Sequence, residues 1–147
     1  MRRYYLFAIK KDFYKAYYNN GEILYKTLNN LYYLRNQNIS YGLSVYDQIC
    51  DVFKKDIIIN YFHIKNGFFI KKKGKKILVD NIMDNEKYII EINYSCIIIY
   101  TDILPRILKL FNYYNPRIFI CDFENNDYFW NNNNFSNSYY ELQYNLI

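Results

Sequence analysis

The sequence predicts a single α/β domain with helices packed on a mixed β-sheet, and three observations carry that reading. The first is Tyr4-Tyr5-Leu6-Phe7-Ala8-Ile9, six apolar or aromatic residues between Arg2-Arg3 and Lys10-Lys11-Asp12. Its length and its aromatic and β-branched content suit a strand covered on both faces. The second is Leu24, Leu28 and Leu31, which recur at the spacing of one helical face. The third is a set of later strand-like runs: Tyr88 to Ile92, Cys96 to Tyr100, and Arg117 to Phe123. The order of strand, helices, several strands, helix and strand makes the first and last strands candidates for the centre of the sheet. No internal repeat or linker interrupts it. The domain is read as residues 1–130, followed by a polar, Asn- and Tyr-rich tail over 131–147 that reads as partly disordered.

Taken in order, Asp12 is positioned to cap a first helix, in which Phe13 stacks beside Tyr17 and Tyr14 beside Tyr18. So short a helix cannot bury both aromatic rows against one sheet, so one row is a candidate docking surface. Asn19-Asn20-Gly21 reads as a helix stop with a left-handed residue. A second helix runs from about Glu22 to Leu34, with Ile23 and Tyr32 flanking the leucines, and Arg35 to Ser40 reads as a loop. Ser44 begins the next helix, with Asp47 at capping-box spacing. Val45, Ile49, Val52 and Phe53 share its apolar third, and Gln48 lies at the edge of that stripe. Asp56 to Lys65 fits a strand through Ile57-Ile58-Ile59 and a helix through Phe53, Ile57 and Tyr61; both remain open. Asn66-Gly67 and Lys73-Gly74 are turn signals around short antiparallel strands at Phe68 to Ile70 and Ile77 to Val79. Asp102 caps a helix bearing Leu104, Leu108 and Phe111, tolerant of Pro105 in its first turn and ended by Pro116.

A chain of 147 residues buries roughly 70% of its unfolded surface and needs no disulfide or metal for stability. The 20 tyrosines and the Asn, Ile and Lys enrichment are what A- and T-rich codons encode, so neither the aromatic excess nor the formal charge of +5 is read as function. Cys50, Cys96 and Cys121 are odd in number and widely spaced, and two lie inside apolar runs, which suits reduced thiols in a cytoplasmic protein. The N-terminal apolar run is too short for a signal-peptide core or a membrane span.

Little in the chain has the form of a catalytic constellation. His63 is the single histidine and reads as structural. Cys96 and Cys121 lack a basic neighbour that would lower their pKa. Asp122 and Glu124 fall on one side of a strand end, but no histidine, glycine-rich loop or metal motif accompanies them, so a solvated strand end is the better reading. No phosphate-cradling glycine motif is present. The lysines of Lys71-Lys72-Lys73-Gly74-Lys75-Lys76 could contact phosphates, yet a solvated turn that blunts a strand edge explains them more simply. The expectation is a protein that is not an enzyme, without cofactor, metal or small-molecule ligand, acting by surface recognition. Phe13, Tyr17 and Gln48 are then the positions to weigh, although periodicity alone favours Phe13 toward the core over Phe13 toward a partner.

With these residues in view, the chain resembles the sporulation inhibitor of replication family, SirA, small single-domain proteins of endospore-forming Firmicutes. The likeness lies in Arg3-Tyr4-Tyr5 through Ile9-Lys10 followed by Phe13 and Tyr17, in the helix bearing Gln48-Ile49, and in the closing Asp122-Phe123, Tyr128 and Trp130. Length and element order agree over most of the chain, while Asp56 to Glu86 matches only in general character. The lysine hairpin and the asparagine tail have no counterpart. The resemblance implies a partner, the N-terminal domain (domain I) of the replication initiator DnaA, and inhibition of chromosomal initiation linked to sporulation. It places the family's contact surface on Phe13, Tyr17 and Gln48, with neither a membrane nor direct nucleic-acid binding involved. A small basic nucleic-acid-binding module using Lys71 to Lys76 is the alternative.

Overall fold

The computed structural model describes residues 2–34, 39–64, 68–81, 85–102 and 107–131. The chain opens with β1 (Arg2–Ile9), the strand on which everything else is laid. Helices α1 (Lys11–Tyr17), α2 (Gly21–Leu34) and α3 (Ile39–Ile49) follow, then the short β2 (Cys50–Asp51) and α4 (Lys55–Ile64). A meander of β3 (Phe68–Lys73), β4 (Lys76–Asn81), β5 (Glu86–Ile92) and β6 (Ile97–Thr101) leads to α5 (Leu108–Tyr114) and the closing hairpin β7 (Ile118–Asp122) and β8 (Asp127–Asn131). The sheet order is β3-β4-β5-β6-β1-β7-β8, with β2 continuing the β6 side of β1. The α/β class, with helices packed on one sheet, is as read from the sequence. Every described ladder is antiparallel, however, where a mixed sheet was expected. Only a few residues separate successive strands from β3 to β6 and from β7 to β8, enough to reverse the chain into an antiparallel partner, whereas a parallel pair would need a longer crossover.

As its unbroken apolar run predicts, β1 is buried on both faces. Tyr4, Leu6 and Ala8 point into a core closed by α4 and α5 through Ile58, Ile59, Leu108 and Phe111. Tyr5, Phe7 and Ile9 point into a second core under α2 and the end of α3, with Leu24, Leu28, Leu31 and Ile49. β7 beside it is buried throughout, but the strand order puts β6 in the middle and β7 next to the edge, so the first strand and the predicted last one are interior rather than central: burial on both faces needs only covering layers and a neighbour on each side. The true last strand, β8, is the edge, and Asn131, assigned to the tail by sequence, closes it in a buried position.

Several local readings change. Lys10, not Asp12, occupies the N-cap of α1, in extended backbone and without a side-chain cap; Asp12 sits in the first turn, where its charge complements the helix dipole. Gly21 is not a left-handed stop. It opens α2, where a Cβ would stand 3.3 Å from Tyr128 Cε2 and 3.5 Å from Phe119 Cε1, so it admits the helix end against those rings. α3 starts at Ile39, which places Ser44 in mid-helix and removes the proposed capping box. Val52 is exposed because α3 stops at Ile49 and the chain turns into β2, while Phe53 stays buried. The segment left open resolves as the helix α4. Asp102 ends near β6 rather than capping α5, whose N-cap is Ile107; Leu104 and Pro105 lie outside the described residues, as do positions 35–38 of the expected loop and 132–147 of the tail. Among the turn signals, Gly74 adopts the expected positive φ of 64° at the β3–β4 tip.

Candidate protein-docking site

α1 has seven residues and no side-chain cap, well short of the length at which an isolated helix is stable. Tertiary contacts must hold it, and the aromatic row Tyr14/Tyr18 supplies them. Tyr14 meets Trp130 edge-on at 5.0 Å between ring centroids, and Tyr18 lies 5.9 Å from the same ring. The Trp130 Nε1–H donates to the Tyr18 carbonyl at 3.1 Å. Trp130 is itself seated on Phe119 of β7 at 4.7 Å. Burial pushes the Tyr14 hydroxyl pKa up, consistent with a ring drawn toward the sheet.

The other row behaves differently. Phe13 and Tyr17 are stacked in parallel, 6.1 Å apart at 7°. Both are half-buried and touch the core under α2 and α3, yet among the described residues each is the other's only ring partner. Asp12 and Ala16, both exposed, border this row on the side away from Tyr14 and Tyr18, about 100° round the helix. Phe13 is therefore neither fully core nor fully surface: one side packs inward and the other stays open beside a small residue.

Gln48 is exposed in the last turn of α3. Lys10 joins that turn to the start of α1, since its backbone N–H donates to the Ile49 carbonyl at 2.8 Å and its ammonium donates to the Asp47 carbonyl. Gln48 lies between those two acceptors in sequence, and Phe13 follows Lys10 by three residues. Lys10 thus ties the start of α1 to the last turn of α3, and this is the link between the helix that carries the two half-buried rings and the helix that carries the exposed amide.

The remaining expected residues do not assemble with them. Lys71 to Lys76 are exposed around the β3–β4 tip, at the opposite edge of the sheet from β8. Asp122 is buried and accepts from the Asn125 backbone N–H at 3.3 Å and side-chain amide at 2.8 Å, which shapes the β7–β8 turn. Glu124 is exposed and pairs weakly with Arg3 at 4.0 Å. The two carboxylates do not converge on a reaction centre. The His63 side chain lies outside the described residues. Burial pushes the Cys50 and Cys121 thiols well above their ordinary range, which leaves them neutral and unreactive. Among the described residues no group of three His, Cys, Asp or Glu side chains could hold a metal, and no helix is long and apolar enough to cross a membrane.

Sequence reasoning did not find the Trp130 clamp or the Lys10 link. The only available signal for the first was a single tryptophan in an alternating five-residue run after Asn125-Asn126, a hairpin too polar to stand out.

The fold and site define an α/β protein with a short, aromatic, surface-held helix. No protein-family model matches the chain, and no curated protein is significantly similar to it.

Proposed function

We propose that this protein is an inhibitor of chromosomal replication initiation that binds the N-terminal domain of DnaA through Phe13, Tyr17 and Gln48, in a programme linked to sporulation. The observation that carries the reading is the Phe13/Tyr17 stack, whose rings have no other ring partner among the described residues, while Tyr14 and Tyr18 of the neighbouring row both contact Trp130, although Tyr18 keeps 43% of its surface exposed. Partly exposed aromatic rings and an exposed amide on the helix to which α1 is tied are the components of a small protein interface: rings fill an apolar depression and the amide bonds at the rim. The family resemblance supplies the partner, and with it a mechanism in which the inhibitor occupies a surface that the initiator uses for other partners or for self-association.

The test is a binding titration of the purified chain against the N-terminal domain of DnaA from the same organism. Phe13→Ala and Tyr17→Ala each weaken binding by about 2 kcal/mol, roughly thirtyfold, and Gln48→Ala weakens it less, with unchanged circular dichroism in each case. Absence of binding by the folded wild-type chain rejects the assignment. The second reading, nucleic-acid binding by the exposed Lys71 to Lys76 tip, predicts instead strongly salt-dependent affinity for DNA or RNA.

A further inference from the structure

Cys50 and Cys96 are far apart in the chain but lie along the same edge of β1. That edge carries β6 and then, continuing it, β2: Leu6 pairs with Ile97 of β6, and Ile9 pairs with Cys50 of β2. Cys96 is the next residue from Ile97 toward Cys50. Its carbonyl accepts the Asn93 N–H at 2.9 Å, which closes the β5–β6 turn and holds Cys96 in line with its strand. The register therefore sets Cys96 opposite Phe7, two residues from Cys50 along one edge, or roughly 6.6 Å between Cα atoms at 3.3 Å per residue.

Both side chains belong to the same side of the sheet. Ile97 sits in the core under α4 and α5, whereas Cys96, one residue earlier and so on the opposite face, packs against the core under α2 and the end of α3, of which Cys50 is a buried member. Burial pushes the Cys50 thiol pKa up, and Cys96 adds to that push more than the adjacent Asp51 does, as two neighbouring sulfurs require. Cys121 stands apart. It pairs with Tyr5 from β7, on the far side of β1, two strand spacings or about 9.6 Å from the edge that carries Cys96. A disulfide spans about 4.4–6.8 Å between Cα atoms, so Cys50 and Cys96 are within reach of each other and Cys121 of neither.

We infer that Cys50 and Cys96 form an oxidation site that closes into a reversible disulfide. Cys96 is half-buried and Cys50 buried, so a peroxide in solvent meets Cys96 first, and Cys50, inert toward solvent by itself, enters only through its neighbour. Cys96 gives up its proton and its sulfur takes one oxygen of hydrogen peroxide. The O–O bond breaks, the other oxygen leaves as water, and Cys96 becomes a sulfenic acid. The Cys50 sulfur then displaces that hydroxyl: the S–S bond forms, the S–O bond breaks, and the Cys50 proton leaves with the hydroxyl as a second water. Two thiols lose two electrons, and one peroxide is reduced to two waters. The Cα separation is at the upper end of the disulfide range, so the bond is strained and readily reduced. It fastens the end of α3, two residues beyond Gln48, to the β5–β6 turn.

Treatment of the folded full chain with hydrogen peroxide, followed by mass spectrometry without reductant, tests the inference. The wild-type mass falls by two hydrogens, the proteolytic fragments carrying Cys50 and Cys96 stay joined, and dithiothreitol restores the starting mass. Cys96→Ser abolishes the loss of two hydrogens, Cys50→Ala leaves Cys96 as a sulfenic acid that dimedone traps, and Cys121→Ser behaves as wild type, with circular dichroism checking each fold. The wild-type fragment map decides the matter even where the buried Cys50→Ala fails to fold. Cys50 recovered as a thiol while Cys96 carries sulfenic or sulfinic acid overturns the inference. So does a link from either residue to Cys121 or between two chains, or a wild-type chain whose Cys50 and Cys96 both survive excess peroxide as thiols.

Discussion

Trp130→Ala removes the residue that fastens α1 to the sheet, and the structure sets the size of the effect. A fully buried Trp replaced by Ala costs about 3–5 kcal/mol. Trp130 is only half-buried, which brings the packing loss to about 2 kcal/mol on the same scale. Its ring nevertheless touches three others, Phe119, Tyr14 and Tyr18, and its N–H bond to the Tyr18 carbonyl is exposed, so water recovers part of it and the loss there is about 0.5 kcal/mol. The expected total is roughly 2–3 kcal/mol by urea unfolding. Trp130→Phe keeps a ring against Phe119 but loses the indole N–H, and should cost about 1 kcal/mol. Because Trp130 is the chain's only tryptophan, wild-type emission reports this contact alone, and Tyr14→Ala should shift that emission while leaving Phe119 in place. Unfolding of Trp130→Ala within about 0.5 kcal/mol of wild type would refute the argument that α1 depends on this clamp.

Asn131→Ala deletes a buried amide that donates to the Leu108 carbonyl at 2.8 Å and ties β8 to α5; the expected cost is about 1–3 kcal/mol, read from the shift in urea midpoint. Alkaline pH should also destabilise the fold. Burial raises the pKa values of the Tyr4 and Tyr25 hydroxyls and of the Cys121 thiol, so above about pH 8.5 for the thiol and about pH 10 for the phenols the unfolded chain loses protons that the folded chain keeps. The stability these groups contribute is complete below those values and falls as pH rises beyond them. Urea titrations at neutral pH and near pH 10 check the sign; equal or greater stability at the higher pH would contradict it.

The fold was legible where the signal was local and long. β1 could be read as buried on both faces because six consecutive apolar residues leave no polar side for solvent. The Leu24, Leu28 and Leu31 face of α2 is buried as its spacing requires, and the Lys73-Gly74 turn sits at the hairpin tip. Tyr25 was missed on α2 because its burial comes from Tyr128 and Phe123, which stack on it from distant β8 and the β7–β8 turn. The capping reading at Ser44 failed for a related reason: cap motifs are short, and the same residues occur inside helices where a neighbouring element sustains the turns.

The two aromatic rows of α1, the exposed edge position of Gln48 on its helix and the burial of β1 were written in the residues themselves, because 3.6-residue and two-residue periodicities depend only on near neighbours. Which row is engaged, what stands beside Gln48 and which cysteines share an edge were decided by pairings between residues far apart in the chain. Trp130 had to reach β7 before it could hold Tyr14, and Lys10 had to meet the end of α3 before the start of α1 was tied to the turn that carries Gln48. Cys50 and Cys96 lie along one edge only because β2 and β6 both pair with β1 there. Local pattern states that a face is apolar; only strand order and register decide what lies against it.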